Sequence, residues 1–119
     1  MITFDDLGLS TRMMRAIRSV GYTHPTPIQA EFIPIAITGK DCIGQARTGT
    51  GKTAAFVIPI LETIDHRLPE VQAIVLSPTR ELSEQVAAEA TKLAAEHNCQ
   101  PALLVGGRSI GSQLKMLER

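Results

Sequence analysis

The chain has 119 residues, about one domain's length, with 44% hydrophobic and only 3% aromatic residues, so aliphatic side chains must fill its core. Twelve Lys and Arg balance twelve Asp and Glu, so no global basic excess announces a nucleic-acid partner, and such binding would need a local cluster. MITFDDLGLS lacks the basic start and apolar run of a signal peptide, and the longest apolar stretch, AAFVIPIL, is too short to span a bilayer; no membrane partner and a cytoplasmic location are expected.

Taken in chain order, residues 10–20 read as a helix. Ser10 is its cap, Met13, Ile17 and Val20 share a face, and Gly21 ends it in the left-handed conformation. YTHPTP is non-helical, because a residue before proline avoids the helical region. Thr26 and Pro27 then open a second helix as N-cap and first residue. Pro34 is expected to kink that helix and Gly39 to close it.

Three βα units are expected next. DCIGQA, QAIVLS and PALLV are short apolar runs that read as strands. Helices are expected from about Lys52, from Arg80 to His97, and from about Ser109. Pro59 should bend or end the first of these. Strands separated by helices predict a parallel sheet with right-handed crossovers, and continuous apolar strands fit a sheet covered on both faces. The expected class is α/β: a partial P-loop domain of three parallel strands with flanking helices, truncated, since a three-strand sheet leaves an edge uncovered. Residues 1–40 and 41–119 form the two regions. Cys42 and Cys99 lack metal-type spacing and read as buried structural thiols rather than a disulfide.

ARTGTGKT, residues 46–53, fits the phosphate-loop pattern G-x-x-x-x-G-K-[ST] except that Ala46 stands for the first glycine. Gly49 and Gly51 let the backbone curl so that successive N–H groups face inward, and the following helix adds its positive end. Lys52 places a cation on the β and γ phosphates, and Thr53 offers a hydroxyl to Mg²⁺. The plainer reading of the same residues is a Gly/Thr-rich turn before a helix. No apolar strand here ends in the acidic residue that such enzymes use to hold the metal. Phosphate binding is therefore expected, and hydrolysis by this segment alone is not.

GYTHPTPIQ (21–29), ARTGTGKT, PTREL (78–82) and Gly106-Gly107, in that order, resemble the Q motif, motif I, motif Ia and GG motif of the DEAD-box family of ATP-dependent RNA helicases. The resemblance covers the chain from Phe4 to Gly107. Ala46 is where that family departs from the general loop, while Arg47 and Thr50 stand where it more often has Gln and Ser. The resemblance implies a RecA-like fold and ATP with Mg²⁺ as cofactors. It implies that Gln29 reads the adenine edge, with Phe4 and Tyr22 packing near it. Arg47, Thr48, Gly49, Thr50, Gly51, Lys52 and Thr53 hold the phosphates, Lys52 and Thr53 having the catalytic role. Pro78, Thr79, Arg80 and Gly107 match positions against the RNA backbone, contacts that fix register without reading bases.

Each assignment has a structural alternative. Thr26-x-x-Gln29 also fits a capping box, Phe4 a packing residue, Arg80-Glu81 a solvated pair, and Gly106-Gly107 a turn. No role is assigned to His24, His66 or His97. The D-E-A-D and S-A-T elements and the second RecA-like domain are not among these residues, so the chain is expected to be an N-terminal segment that needs the remainder of the helicase core. The alternatives are a nucleotide-responsive binding module without turnover and a compact P-loop kinase, the latter disfavoured by GYTHPTPIQ and PTREL.

Overall fold

Three of the helices begin where the sequence supplies a side-chain cap, Ser10, Thr26 or Thr79. The computed structural model describes residues 2–47, 51–97, 99–106 and 110–118. Helix α1 spans Thr11–Val20, with Ser10 Oγ accepting from the Met13 N–H at 3.1 Å. Gly21 closes it at φ +89°, a left-handed conformation costly for any side chain. Helix α2 spans Pro27–Ala36 behind Thr26, α3 spans Lys52–Thr63 behind Gly51, and α5 spans Ile110–Glu118. Helix α4 spans Arg80–Ala94, with Thr79 Oγ1 accepting from the Leu82 N–H at 3.1 Å.

Differences from expectation are local. A 3₁₀ turn at Phe4–Leu7, not foreseen, is closed by Asp6 Oδ2 accepting from the Thr3 N–H at 2.8 Å. Pro59 does not end α3, which continues to Thr63. Pro59 has no N–H to offer the Ala55 carbonyl one turn earlier, and in the last turn the Thr63 hydroxyl donates to the Pro59 oxygen at 2.7 Å. Pro34 likewise lies inside α2, and α2 stops at Ala36, before Gly39. Helix α4 stops short of His97 because the chain tightens into three-residue turns, with the His97 N–H on the Ala94 oxygen at 2.8 Å.

Helix α3 lies between α2 and α4, and α1 packs on α4. The core is drawn from Phe4 and Leu7, from Met13, Ala16 and Ile17 of α1, from Ile33 of α2, from Ala54, Val57, Ile58 and Leu61 of α3, and from Leu93 and Ala94 of α4. Met13 and Ile17 are buried and Val20 packs half-buried against the same core, so the three share a face as expected, with Ala16 beside them. Cys42 and Cys99 are free thiols, half-buried rather than buried. Among the described residues no helix is long and apolar enough to cross a membrane.

Among the described residues none forms a strand. The apolar runs at 41–46, 72–77 and 101–105 have no regular structure, and Ile43, Ile74 and Leu76 stand 100%, 79% and 91% exposed. A strand is stabilised only by pairing with a neighbour and covering its faces, unlike a helix, whose backbone bonds are internal. Among the described residues these segments form no such pairing, and their apolar faces are covered only in part. One of them still approaches the helices closely: a Cβ at Gly44 would lie 2.7 Å from the Phe32 ring, so only glycine lets the chain pass there.

Candidate functional site

A polar cluster joins the start of α2 to the start of α3. Gln29 is only 4% exposed. Its Oε1 accepts from the Thr26 N–H at 3.0 Å, and Thr26 Oγ1 accepts from the Gln29 N–H at 3.4 Å. The capping box is therefore formed. The same side chain also reaches across the fold: Gln29 Nε2 donates to the Gly51 oxygen at 3.1 Å. Gly51 has φ +82°, and a Cβ there would lie 2.5 Å from Gln29 Nε2 and 3.0 Å from Thr26. Glycine is required twice over, for its backbone angle and for the space.

Lys52 and Thr53 form the first turn of α3, Lys52 exposed and Thr53 half-buried. Among the described residues Lys52 has no hydrogen-bond or ionic partner. Arg47 is exposed at the other side of the loop. Thr48, Gly49, Thr50 and Gly107 lie outside the described residues. The arrangement offers a helix N-terminus and a mobile-stemmed ammonium to an anion.

Phe4 and Tyr22 meet as a stacked pair, ring centroids 6.5 Å apart and planes at 21°. Phe4 is 2% exposed and belongs to the core. The Tyr22 hydroxyl donates to a Glu89 carboxylate oxygen on α4. Burial, then the bond to Glu89 and its charge, pushes the phenol well above its usual range. Pro78, Thr79 and Arg80 are exposed at the start of α4, with Arg80 Nε 3.3 Å from Glu84 Oε1. No hydrogen bond or ion pair among the described residues links them to Gln29 or Gly51. Gly106 has open space around it, so nothing near it demands glycine.

Sequence reasoning missed Glu89 as the partner of Tyr22 and Glu62 as the partner of Ser10. Ser10 donates to Glu62 through its N–H at 2.8 Å and its hydroxyl at 2.6 Å. Neither pairing has a local signal, the residues being 67 and 52 apart in the chain. Among the described residues there is no group of three or more His, Cys, Asp or Glu able to hold a metal.

Three comparisons bear on this geometry. The sequence profile of the family described as DEAD/DEAH box helicase matches residues 26–119. The DEAD-box ATP-dependent RNA helicase CshA of Bacillus subtilis is 48% identical over 118 residues, covering 99% of this chain and 24% of the relative. The ATP-dependent RNA helicase CshA of Limosilactobacillus reuteri is 47% identical, covering 98% and 23%. Among solved structures, a DEAD box protein from the hyperthermophile Methanococcus jannaschii superposes with a TM-score of 0.91 at 41% identity, over 98% of this chain and 32% of that one. The RNA helicase Prp28 from Chaetomium thermophilum, bound to ADP, gives 0.87 at 40%, over 99% and 30%. The chain thus spans about a quarter of the length of the curated relatives it matches.

Proposed function

Because the chain belongs to the DEAD/DEAH box helicase family, we propose that it is the ATP-binding front of an ATP-dependent RNA helicase. The observation that carries this reading is the Gln29–Gly51 bond, which ties the base-reading amide to the phosphate loop. Gln29 has used one lone pair of Oε1 and one N–H of Nε2. One acceptor and one donor remain, the pair that adenine's N6–H and N7 require. A relative 40% identical, Prp28, is bound to ADP.

The residues fit a nucleotide's phosphates. Gly51 keeps the loop free of a side chain, α3 turns its positive end outward, and Lys52 is free to place its charge on the β and γ oxygens. Arg47, Thr48, Gly49 and Thr50 complete the loop. Thr53 would hold Mg²⁺ by its hydroxyl, the ion neutralising developing phosphate charge when bound. Tyr22 is assigned to the base end, with Phe4 stacked behind it in the core. Pro78, Thr79, Arg80 and Gly107 contact the RNA backbone and are indifferent to base identity. Residues 41–46, 72–77 and 101–105 are assigned to three parallel strands, which would cover the apolar side chains now exposed. The protein is assigned to the cytoplasm.

The test is titration of a fluorescent ATP analogue against the chain and its Lys52→Ala variant. Loss of binding in the variant is expected; equal binding overturns the reading. Lys52-dependent turnover by residues 1–119 alone would overturn the expectation that hydrolysis needs the remainder of the helicase core.

A further inference from the structure

We infer that the outer face of α1, carrying Arg12, Arg15 and Arg18, is a second contact for the RNA phosphate backbone, separate from Pro78–Arg80; this rests on the RNA helicase reading above. The three arginines recur every third residue, so they share one face of the helix. All are exposed, and the opposite face is buried through Met13, Ala16 and Ile17. Helix α1 contains no acidic residue. None of the three arginines forms an ion pair among the described residues, whose two ion pairs are Arg67–Asp65 and Arg80–Glu84. Of the acids around α1, Asp6 is bonded to Thr3, Glu62 to Ser10 and Glu89 to Tyr22. A chain with no net charge thus concentrates on ten residues three guanidinium groups that have no ion pair among the described residues. Like charges so spaced oppose helix formation unless an anion lies across them.

The direction of the helix connects this stripe to the first contact. Tyr22, just past α1, reaches Glu89 in the middle of α4, while Arg12 at the start of α1 acts electrostatically on His97 beyond the end of α4. Helices α1 and α4 are therefore antiparallel. The C-terminal end of the stripe points toward the end of α4 that presents Thr79 and Arg80. Phosphates suit this face better than a protein partner does. A protein interface needs a large apolar anchor, and no exposed large hydrophobic residue lies on α1. A backbone of phosphates needs only charge and reach.

The experiment measures binding of a fluorescein-labelled oligouridine to the full chain across a salt series. Compared are the wild type, R12Q/R15Q/R18Q and R12K/R15K/R18K. For single strands each phosphate contact contributes about 0.7 to the slope of log K against log salt, so the Gln variant should lose about 2. The Lys variant should keep the slope, and both should bind the ATP analogue as the wild type does. An unchanged slope in the Gln variant, or a slope lost equally in the Lys variant, overturns the assignment. Wild-type protein that binds ATP but shows no salt-dependent RNA binding overturns the RNA helicase reading itself.

Discussion

Gln29 and Gly51 are joined by a 3.1 Å hydrogen bond from the side-chain amide of one to the backbone oxygen of the other. The bond links residues 22 apart in sequence and places the start of α2 against the start of α3. Gln29 is at once the closing member of a helix cap and a strut under Gly51, in the loop assigned to the phosphates. Any change to the loop's first helical turn is therefore felt at the amide assigned to the base.

Replacing Gly51 with Ala should be costly. The new Cβ meets Gln29 Nε2 at 2.5 Å, and φ +82° is strained for any side chain. A loss of about 1–3 kcal/mol is expected, read as a lower urea midpoint, together with weaker ATP-analogue binding. A variant as stable as the wild type would refute the close approach.

Gln29→Glu separates the two halves of the amide's work. The carboxylate can still accept from the Thr26 N–H but cannot donate to the Gly51 oxygen when ionised. Discrimination of ATP over GTP should fall, and stability should drop by about 1–3 kcal/mol. Thr26→Ala removes only the cap and should cost about 1 kcal/mol while sparing base preference. Competition titrations with both nucleotides, alongside urea unfolding, distinguish the two.

Ser10 caps α1 and grips α3 with the same hydroxyl: it accepts from the Met13 N–H at 3.1 Å and donates to Glu62 at 2.6 Å. Ser10→Ala should destabilise by about 1–2 kcal/mol. Glu62→Gln should cost less, since an amide oxygen can still accept one of the two donors. A double-mutant cycle by denaturant unfolding should return a coupling well above the error; simple additivity would show that the two bonds do not contribute together.

His97 is pushed below its usual pKa of 6.5 by burial, then by the neighbouring His66; Arg12 lowers it further, while the Leu93 oxygen and Glu62 act the other way. The rings lie 5.0 Å apart. The folded state binds a proton here less readily than the unfolded chain, so stability is fully present above 6.5 and falls as pH drops through that value. His97→Gln should flatten this dependence. Urea midpoints measured at about pH 7.5 and about pH 5.5 in both proteins check the sign; a wild type more stable at the lower pH would contradict it.

The helix starts were legible because their causes are local. Ser10, Thr26 and Thr79 each bond a backbone N–H within their own first turn, and Gly21 needs only its own left-handed angle. The phosphate-loop pattern is visible as spacing, and the two readings of Gln29 are visible together in Thr26-x-x-Gln29, of which the structure forms the capping box. The 3₁₀ turn was not legible, because its cap rests on Asp6, with no apolar period to mark it.

What the sequence determined by itself was the family and the helix starts, each encoded within a few consecutive positions, together with the spacing of a phosphate-loop pattern. Only the tertiary structure decided that Gln29 supports Gly51, that Tyr22 answers to Glu89, that Ser10 holds Glu62, and that three arginines on α1 face outward with no ion pair among the described residues. The physical reason is the same in each case. A cap is satisfied within one turn of its own helix, whereas these partners are brought together by burying the apolar faces of α1, α2, α3 and α4, and burial carries no address that a short stretch of sequence can display.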